Sequence, residues 1–117
     1  MHSGVLDTSI GKIYIEKEII SLYAGSACMT TGGVVGMAGM NVKTGVYKLL
    51  KKEYLAKGVE TEIIDNKLKL DLHIIVASEV KIETVANNII EIVKYEVETF
   101  TGLEICELNI FVEGVKF

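Results

Sequence analysis

The fold is decided by one stretch of the sequence, Lys67-Leu68-Lys69-Leu70-Asp71-Leu72-His73-Ile74-Ile75-Val76-Ala77. Apolar and polar residues alternate along it, so the leucines fall on one side of an extended chain and the charged residues and His73 fall on the other. The apolar side continues through Ile74 and Val76. A strand of this kind places one face in a core and leaves the other face more polar. The stretch therefore predicts a sheet that is covered on a single side.

Further strands lie before and after this stretch. Residues 59–64 form its partner, because the intervening Asp65-Asn66 is typical of a two-residue hairpin turn. A last strand begins near Cys106, where the phase of the apolar residues changes. We expect the inward-facing residues of this strand to be Cys106, Leu108, Ile110 and Val112.

Two segments carry apolar residues at helical spacing. Residues 82–101 have the wider apolar stripe, and Gly102 supplies a left-handed cap where that helix ends. Residues 17–30 form the other long helix, whose middle contains Gly25. A glycine inside a helix costs about 1 kcal/mol relative to alanine. Its presence predicts that a neighbouring element packs closely against the helix at Gly25.

The remaining segments give weaker signals. We expect a short strand at residues 12–15, a tight strand over Val34–Met40 and a short amphipathic helix over residues 45–56. The element order becomes β-α-(short β, short α)-β-β-α-β. This order predicts an α+β fold of two layers, with two long helices packed on one face of a largely antiparallel sheet. We expect a frayed N-terminal tail over residues 1–10 and a single domain over residues 11–117.

The composition excludes several classes of protein. Half of the 117 residues are hydrophobic, which is too many for a disordered chain. The net charge is −4 and all twelve basic residues are lysine, whereas nucleic-acid-binding domains are usually basic and use arginine. The two cysteines predict buried, reduced thiols in a cytoplasmic protein rather than a disulfide framework. The sequence predicts neither a signal peptide nor a transmembrane segment.

Motifs that carry catalytic chemistry are missing. The glycine-rich segment over residues 33–39 lacks the basic or polar centre with which a glycine loop holds phosphate, so we expect its glycines to permit close packing. His73 has no cysteine, histidine or carboxylate at metal-ligand spacing, and we expect it to be solvated or hydrogen-bonded on the polar face of its strand. We therefore predict no enzyme activity, no catalytic residue, no cofactor and no metal site.

One charged cluster stands out. Residues 43–57 carry five lysines against one glutamate, a local charge of +4, so the rest of the chain holds −8. Lysines beside amphipathic aromatic residues can dock on an anionic membrane, on an acidic partner or on the acidic half of the same protein. The alternative is a short surface helix that its charges merely keep soluble. The candidate docking residues are Lys48, Lys51, Lys52 and Tyr54.

Several segments together carry a family resemblance. Gly11-Lys12-Ile13-Tyr14-Ile15 leads into the helix with Ala24-Gly25-Ser26-Ala27, and Gly33-Val34-Val35-Gly36-Met37 follows. The most specific match is the tail, from Thr101-Gly102-Leu103-Glu104 to Asn109-Ile110-Phe111-Val112-Glu113-Gly114-Val115-Lys116-Phe117. With these segments the chain resembles the alkaline shock protein family of the bacterial envelope stress response. It departs from the family at Glu83, where members often have a proline.

The resemblance implies a non-enzymatic protein of cell-envelope stress response or homeostasis, cytoplasmic or at the membrane periphery, and it brings no catalytic residues. Under the first hypothesis, the chain is a homo-oligomer that docks on a protein partner, such as a membrane-anchored one, and binds no nucleic acid. Under the second, it is a small regulatory or ligand-binding module that controls an enzyme of lipid or acyl metabolism. Met37 and Met40 favour the second hypothesis, because methionine lines adaptable apolar pockets, although both can also fill a core.

Overall fold

The fold is built around the strand that the alternating stretch predicts. The computed structural model describes residues 3–41 and 43–117, except for the side chains of Ser3, Lys52 and Glu53. The elements in chain order are β1 (Ser3–Asp7), β2 (Lys12–Glu16), α1 (Lys17–Met29), β3 (Val34–Met40), β4 (Tyr47–Leu49), a 3-10 helix (Lys52–Gly58), β5 (Val59–Ile64), β6 (Lys67–Ala77), α2 (Ile82–Thr101) and β7 (Ile105–Lys116).

Strand β6 pairs with three other strands. β7 runs parallel to it along its length, from the pair Leu68–Ile105 to the pair Ala77–Lys116. The opposite edge of β6 is shared, since β5 pairs antiparallel with its first half and β3 pairs antiparallel with its second half. β4 then adds to β3 as a short antiparallel strand. The result is a five-stranded, largely antiparallel sheet.

The two long helices cover one face of this sheet, so the predicted two-layer α+β fold is confirmed. α2 buries the stripe that its spacing predicts, and α1 contributes Ile20, Ala24 and Cys28 to the same core. The leucines of β6 are fully buried beneath the helices. The opposite surface of the sheet, which we call the outer face, carries the polar residues of β6, and none of the helices in the described residues covers it.

The predicted hairpin turn is confirmed and has a second role. Asp65 and Asn66 have φ values of 49° and 62°, the left-handed conformation that a two-residue hairpin loop requires. The side-chain amide of Asn66 accepts a hydrogen bond from the backbone N–H of Val5 at 2.8 Å and donates one to the carbonyl of Val5 at 2.7 Å. It therefore holds β1 much as a neighbouring strand would.

The frayed tail predicted for residues 1–10 is wrong over Ser3–Asp7. This segment forms β1 and pairs antiparallel with β2, through a turn in which the N–H of Thr8 donates to the carbonyl of Gly11 at 2.8 Å. Gly4 packs against the side chain of Leu103. Leu103 is distant in sequence, and five paired residues are too few to give a periodic apolar signal, so local spacing does not predict β1.

The helix predicted for residues 45–56 is also wrong. Gly45 adopts φ = 68° and its N–H donates to the carbonyl of Asn41 at 2.7 Å, which reverses the chain. Tyr47–Leu49 then pairs with β3 as strand β4, and only the residues from Lys52 onward become helical, as a 3-10 helix. Pairing with an exposed sheet edge has overridden the helical spacing of the side chains.

The C-terminal strand is confirmed in its position but not in the orientation of Cys106. Leu68 pairs with Ile105 and Lys69 pairs with Glu107, so Cys106 is the extra residue of a β-bulge. The bulge turns its side chain outward, and the thiol is exposed instead of buried. Leu108, Ile110 and Val112 pack against the core as predicted, because the bulge absorbs the change of phase.

The close neighbour predicted for Gly25 is present. A Cβ atom at Gly25 would lie 3.1 Å from the carbonyl oxygen of Leu55 and 3.4 Å from its Cβ atom. The neighbour is the backbone of the 3-10 helix, which packs directly on α1. This contact fixes the 3-10 helix beside the β3–β4 hairpin, and the space between them is the candidate site.

Candidate functional site

A groove lies between the β3–β4 hairpin and the 3-10 helix. It has a volume of about 420 Å³ and is lined by residues that include Met40, Lys48, Leu49, Lys51, Tyr54 and Lys57. We call it the basic groove. Of the described residues that line it, none is acidic. The surface is therefore positively charged and partly apolar.

The backbone of β3 shapes one wall of the basic groove. Lys48 pairs directly with Gly39 across the β3–β4 hairpin, so a residue without a side chain lies opposite the lysine. The side chain of Leu50 fills the space beside Gly39, where a Cβ atom would lie 2.6 Å from Leu50 Cδ2. This confirms that the glycine-rich strand serves close packing, and it leaves an apolar wall next to Lys48.

The 3-10 helix supplies the opposite wall. The ammonium group of Lys57 lies 4.7 Å from the ring centroid of Tyr54, a cation–π geometry. Tyr54 has φ = −117° and ψ = 22°, at the point where the short helix kinks. The contact therefore holds an aromatic ring and a lysine together at the mouth of the groove.

Three of the four predicted docking residues meet in this groove, namely Lys48, Lys51 and Tyr54. The side chain of Lys52 lies outside the part of the chain that the structure describes. Lys57 also lines the groove, although it is not among the four predicted docking residues. The signal that could have identified it was its spacing of three residues from Tyr54, which brings side chains together in a 3-10 helix.

Apolar side chains are exposed around the lysines. The exposed fractions are 54% for Met40, 56% for Val46, 46% for Leu49 and 45% for Tyr54. Scattered exposed apolar residues are normal on protein surfaces, but these four belong to one hairpin and the short helix beside it. The basic groove is therefore suited to a partner that is both anionic and apolar.

A second cluster lies on the outer face of the sheet and joins three strands. The ring of His73 stacks between Tyr47 and Phe111, with centroid separations of 4.9 Å and 4.8 Å. Its Nδ1 atom is 2.6 Å from a carboxylate oxygen of Glu113. His73 is thus hydrogen-bonded on the polar face of β6, as predicted, although its side chain is nearly buried.

The His73 cluster is connected to the basic groove through β4. Tyr47 and Lys48 are adjacent on this three-residue strand, so the stack on the outer face holds the strand that carries Lys48. Partial burial and the carboxylates of Glu113 and Glu60 raise the pKa of Tyr47. We assign the cluster a positioning role.

Two further observations bear on the chemistry of the chain. Among the described residues, histidine, cysteine and acidic side chains nowhere gather in a group of three that could bind a metal ion. Within the same residues, neither helix combines the length and the apolarity that crossing a bilayer demands.

Comparisons with known proteins agree with the sequence resemblance. The model of the alkaline shock protein family, described as having a "cell envelope-related function", matches residues 5–117. The chain is 38% identical over 112 residues to the uncharacterized protein YloU of Bacillus subtilis (strain 168), covering 95% of this chain and 93% of YloU. It is 34% identical over 111 residues to YqhY of the same organism, covering 95% and 82% of the two chains.

A more distant relative carries a functional name. The stress response regulator gls24 homolog of Streptococcus pyogenes serotype M3 is 26% identical over 106 residues, which cover 91% of this chain and 59% of the relative. No solved structure matches the chain.

Proposed function

The chain belongs to the alkaline shock protein family, whose function is related to the cell envelope, and we propose that it acts in envelope stress response or homeostasis as a non-enzymatic, self-associating docking protein. Its docking site is the basic groove, and its partner is an anionic component of the membrane periphery on the cytoplasmic side. The observation that carries the proposal is the convergence of Lys48, Lys51 and Lys57 on one groove with apolar walls. The regulator name of the S. pyogenes relative supports the stress-response part.

The groove suits docking better than catalysis. Lysine ammonium groups on flexible stems attract anions without fixing a reacting atom, whereas catalysis needs positioned groups within hydrogen-bond reach of each other. The shortest His–carboxylate contact among the described residues, between His73 and Glu113, lies outside the groove, and the His73 ring is stacked between two aromatic rings. Binding through the groove is therefore electrostatic and sensitive to salt.

The test is a triple charge reversal in the groove, Lys48→Glu, Lys51→Glu and Lys57→Glu. Each lysine near an anionic surface contributes about 1 kcal/mol, so the reversal should lower affinity for the membrane fraction at least a hundredfold. The fold should survive, because exposed substitutions usually change stability by about 0.5 kcal/mol or less. The measurement is the amount of protein recovered with sedimented membranes at low and high salt.

A matched control carries the same change of charge elsewhere. Lys12, Lys81 and Lys116 are exposed and lie outside the groove. Reversing these three lysines should leave membrane recovery near that of the unmodified protein. Equal losses in the two triple variants would show that net charge alone matters and would contradict docking through the groove.

A second function is favoured by a second groove. Leu6, Ile13, Tyr14, Ile19 and Phe100 line an apolar space of about 380 Å³ between the β1–β2 hairpin and the helices, a size suited to a small apolar ligand. A regulatory module for lipid or acyl metabolism could use it. The methionines give less support, because Met37 is buried in the core and Met40 lines the basic groove. Native mass spectrometry separates the two functions, since a retained ligand favours the regulatory module and a series of oligomers favours the docking protein.

A further inference from the structure

We propose that the basic groove and the adjoining tip of the β3–β4 hairpin dock directly on the anionic surface of a lipid bilayer. The inference rests on the proposed function, because it names the partner of the same docking site. It commits to lipid instead of a protein partner on the basis of three features of the described residues: the shape of the hairpin tip, the mixture of side chains around it and the distribution of charge.

The hairpin tip belongs to the terminal strand pair of the sheet and is exposed. β4 is the terminal strand of the order β4-β3-β6, and the described residues 43–46 at the turn are all exposed. The N–H of Asn41 donates to the carbonyl of Val46 at 2.9 Å, which places Val46 across the hairpin from the end of β3. Met40 and Val46, both more than half exposed, therefore place two apolar side chains beside the turn.

This tip extends beyond the groove. Lys43 and Val46 are not among the residues that line the basic groove, whereas Met40 belongs to both. A peptide bound inside the groove would pair with Lys48, Lys51 and Lys57 and would leave Lys43 and Val46 in water. A flat surface with an anionic outer layer over an apolar interior would contact the groove and the tip at the same time. A bilayer has this layered chemistry.

Each type of side chain has a suitable depth in a bilayer interface. Exposed methionine, valine and leucine side chains can enter the boundary between headgroups and acyl chains. Lysine stems can lie along apolar surface while their ammonium groups reach the phosphates. A tyrosine such as Tyr54 suits the interface itself, because its ring is apolar and its hydroxyl is polar.

The charge distribution selects one orientation. Residues 43–57 carry +4 and the remainder of the chain carries −8, so an anionic surface attracts this region and repels the rest. The acidic remainder includes the outer face of the sheet, where Glu60 pairs with Asp71 across β5 and β6. Attraction and repulsion both act within about 8 Å at physiological salt, so only close approach through the hairpin is favourable.

The chain offers a direct probe, because it contains no tryptophan. Val46→Trp places a sole indole at the hairpin tip, and Ile82→Trp places one at an exposed position at the start of α2. The purified full chain is mixed with vesicles of phosphatidylcholine alone or of equal parts phosphatidylcholine and phosphatidylglycerol. We expect a blue shift of the Val46→Trp emission with the anionic vesicles only, reversed by high salt, and no shift for Ile82→Trp.

Vesicle sedimentation then separates charge from apolar insertion. The reversal Lys48→Glu, Lys51→Glu and Lys57→Glu should weaken binding to anionic vesicles about a hundredfold, at roughly fivefold per lysine. The pair Met40→Ser and Val46→Ser, which keeps every lysine, should weaken it about tenfold or more. The matched pair Ile82→Ser and Tyr95→Ser, exposed on α2, should bind as the unmodified protein does.

The remaining outcomes distinguish this inference from the proposed function. If the chain does not bind the vesicles but membrane recovery still depends on its groove lysines, the partner is a membrane protein. The lipid inference is then overturned, while the proposed function stands. If neither vesicle binding nor membrane recovery responds to the groove lysines, both are overturned. Equal binding to neutral and anionic vesicles would also overturn the lipid inference.

Discussion

The thiol of Cys28 is fully enclosed by the core, and burial raises its pKa from 9.0 to about 12. The thiol of Cys106 is exposed at the bulge of β7, where it donates a hydrogen bond to the carbonyl of Leu68 at 3.3 Å. Only the second is accessible to a reagent in the folded protein. The two cysteines therefore differ in chemistry although both lie in apolar stretches of sequence.

We predict that Cys28 makes the fold sensitive to alkali. Above pH 9 the unfolded thiol ionises while the folded thiol keeps its proton, so the unfolded state is favoured as pH rises toward 12. The contribution is a loss of about 1.4 kcal/mol at pH 10. The loss is measured by urea unfolding of the unmodified protein and of Cys28→Ala at pH 8 and pH 10, roughly one unit either side of an ordinary thiol pKa. Cys28→Ala should lack this part of the loss in unfolding free energy. Cys106→Ala is the control and should retain it, whereas an identical loss in all three proteins would refute the assignment.

We also predict that Gly25→Leu lowers the free energy of unfolding by about 1–3 kcal/mol, because the new side chain meets the backbone of the 3-10 helix at Leu55. Helix propensity alone predicts the opposite sign. The matched control is Ser26→Leu, at the next and exposed position of α1, which should be close to neutral. A stability gain in Gly25→Leu, measured by urea unfolding, would rule out the close contact.

At the scale of elements, side chains add to the short ladder that holds β4. Among the described strands β4 pairs only with β3, over three residues, and a two-stranded pairing is marginally stable by itself. The stack of Tyr47 on His73 and Phe111 ties it to the two long strands of the sheet. The position of Lys48 in the basic groove therefore depends on a cluster on the opposite face.

We predict that His73→Ala destabilises the fold by about 1–3 kcal/mol, because it removes two ring contacts and leaves Glu113 without its hydrogen-bond partner. Hydrogen exchange should accelerate at the amide of Leu50, which donates to the carbonyl of Met37 at the end of the β3–β4 pairing. Lys69→Ala, which loses only ion pairs near 4 Å on the same strand, should change stability by less than about 1 kcal/mol. An unchanged exchange rate at Leu50 would contradict the anchoring role.

At the scale of the whole molecule, the sequence predicts the elements that carry their own periodic signal. Periodic apolar residues run through the eleven residues of β6 and the twenty residues of α2, and both elements have the bounds that the sequence predicts. β1 and β4 could not be predicted from spacing, because each is a short strand in a local hairpin and has too few residues for a periodic signal. β1 also depends on Asn66, a contact that is distant in sequence and absent from the local pattern.

A related distinction explains which parts of the candidate site could be predicted from the sequence. Lys48, Lys51 and Tyr54 are close in sequence, so their charge pattern identifies the cluster even though the predicted helix is wrong. The stack around His73 draws on three strands separated by many residues, and nothing in the local sequence brings Tyr47 and Phe111 to it. Sites made of neighbours in sequence are predictable, and sites assembled by topology are not.

The pairing of β6 with β7 has a consequence for biosynthesis. Translation proceeds from the N-terminus, so β6 and the whole of α2 emerge from the ribosome before β7 does. During that interval one complete edge of the central strand, from Leu68 to Ala77, has no partner. An open apolar edge invites pairing with other nascent chains. We therefore expect a chain that stalls on the ribosome within α2, with this edge unpaired, to aggregate more readily than the complete protein.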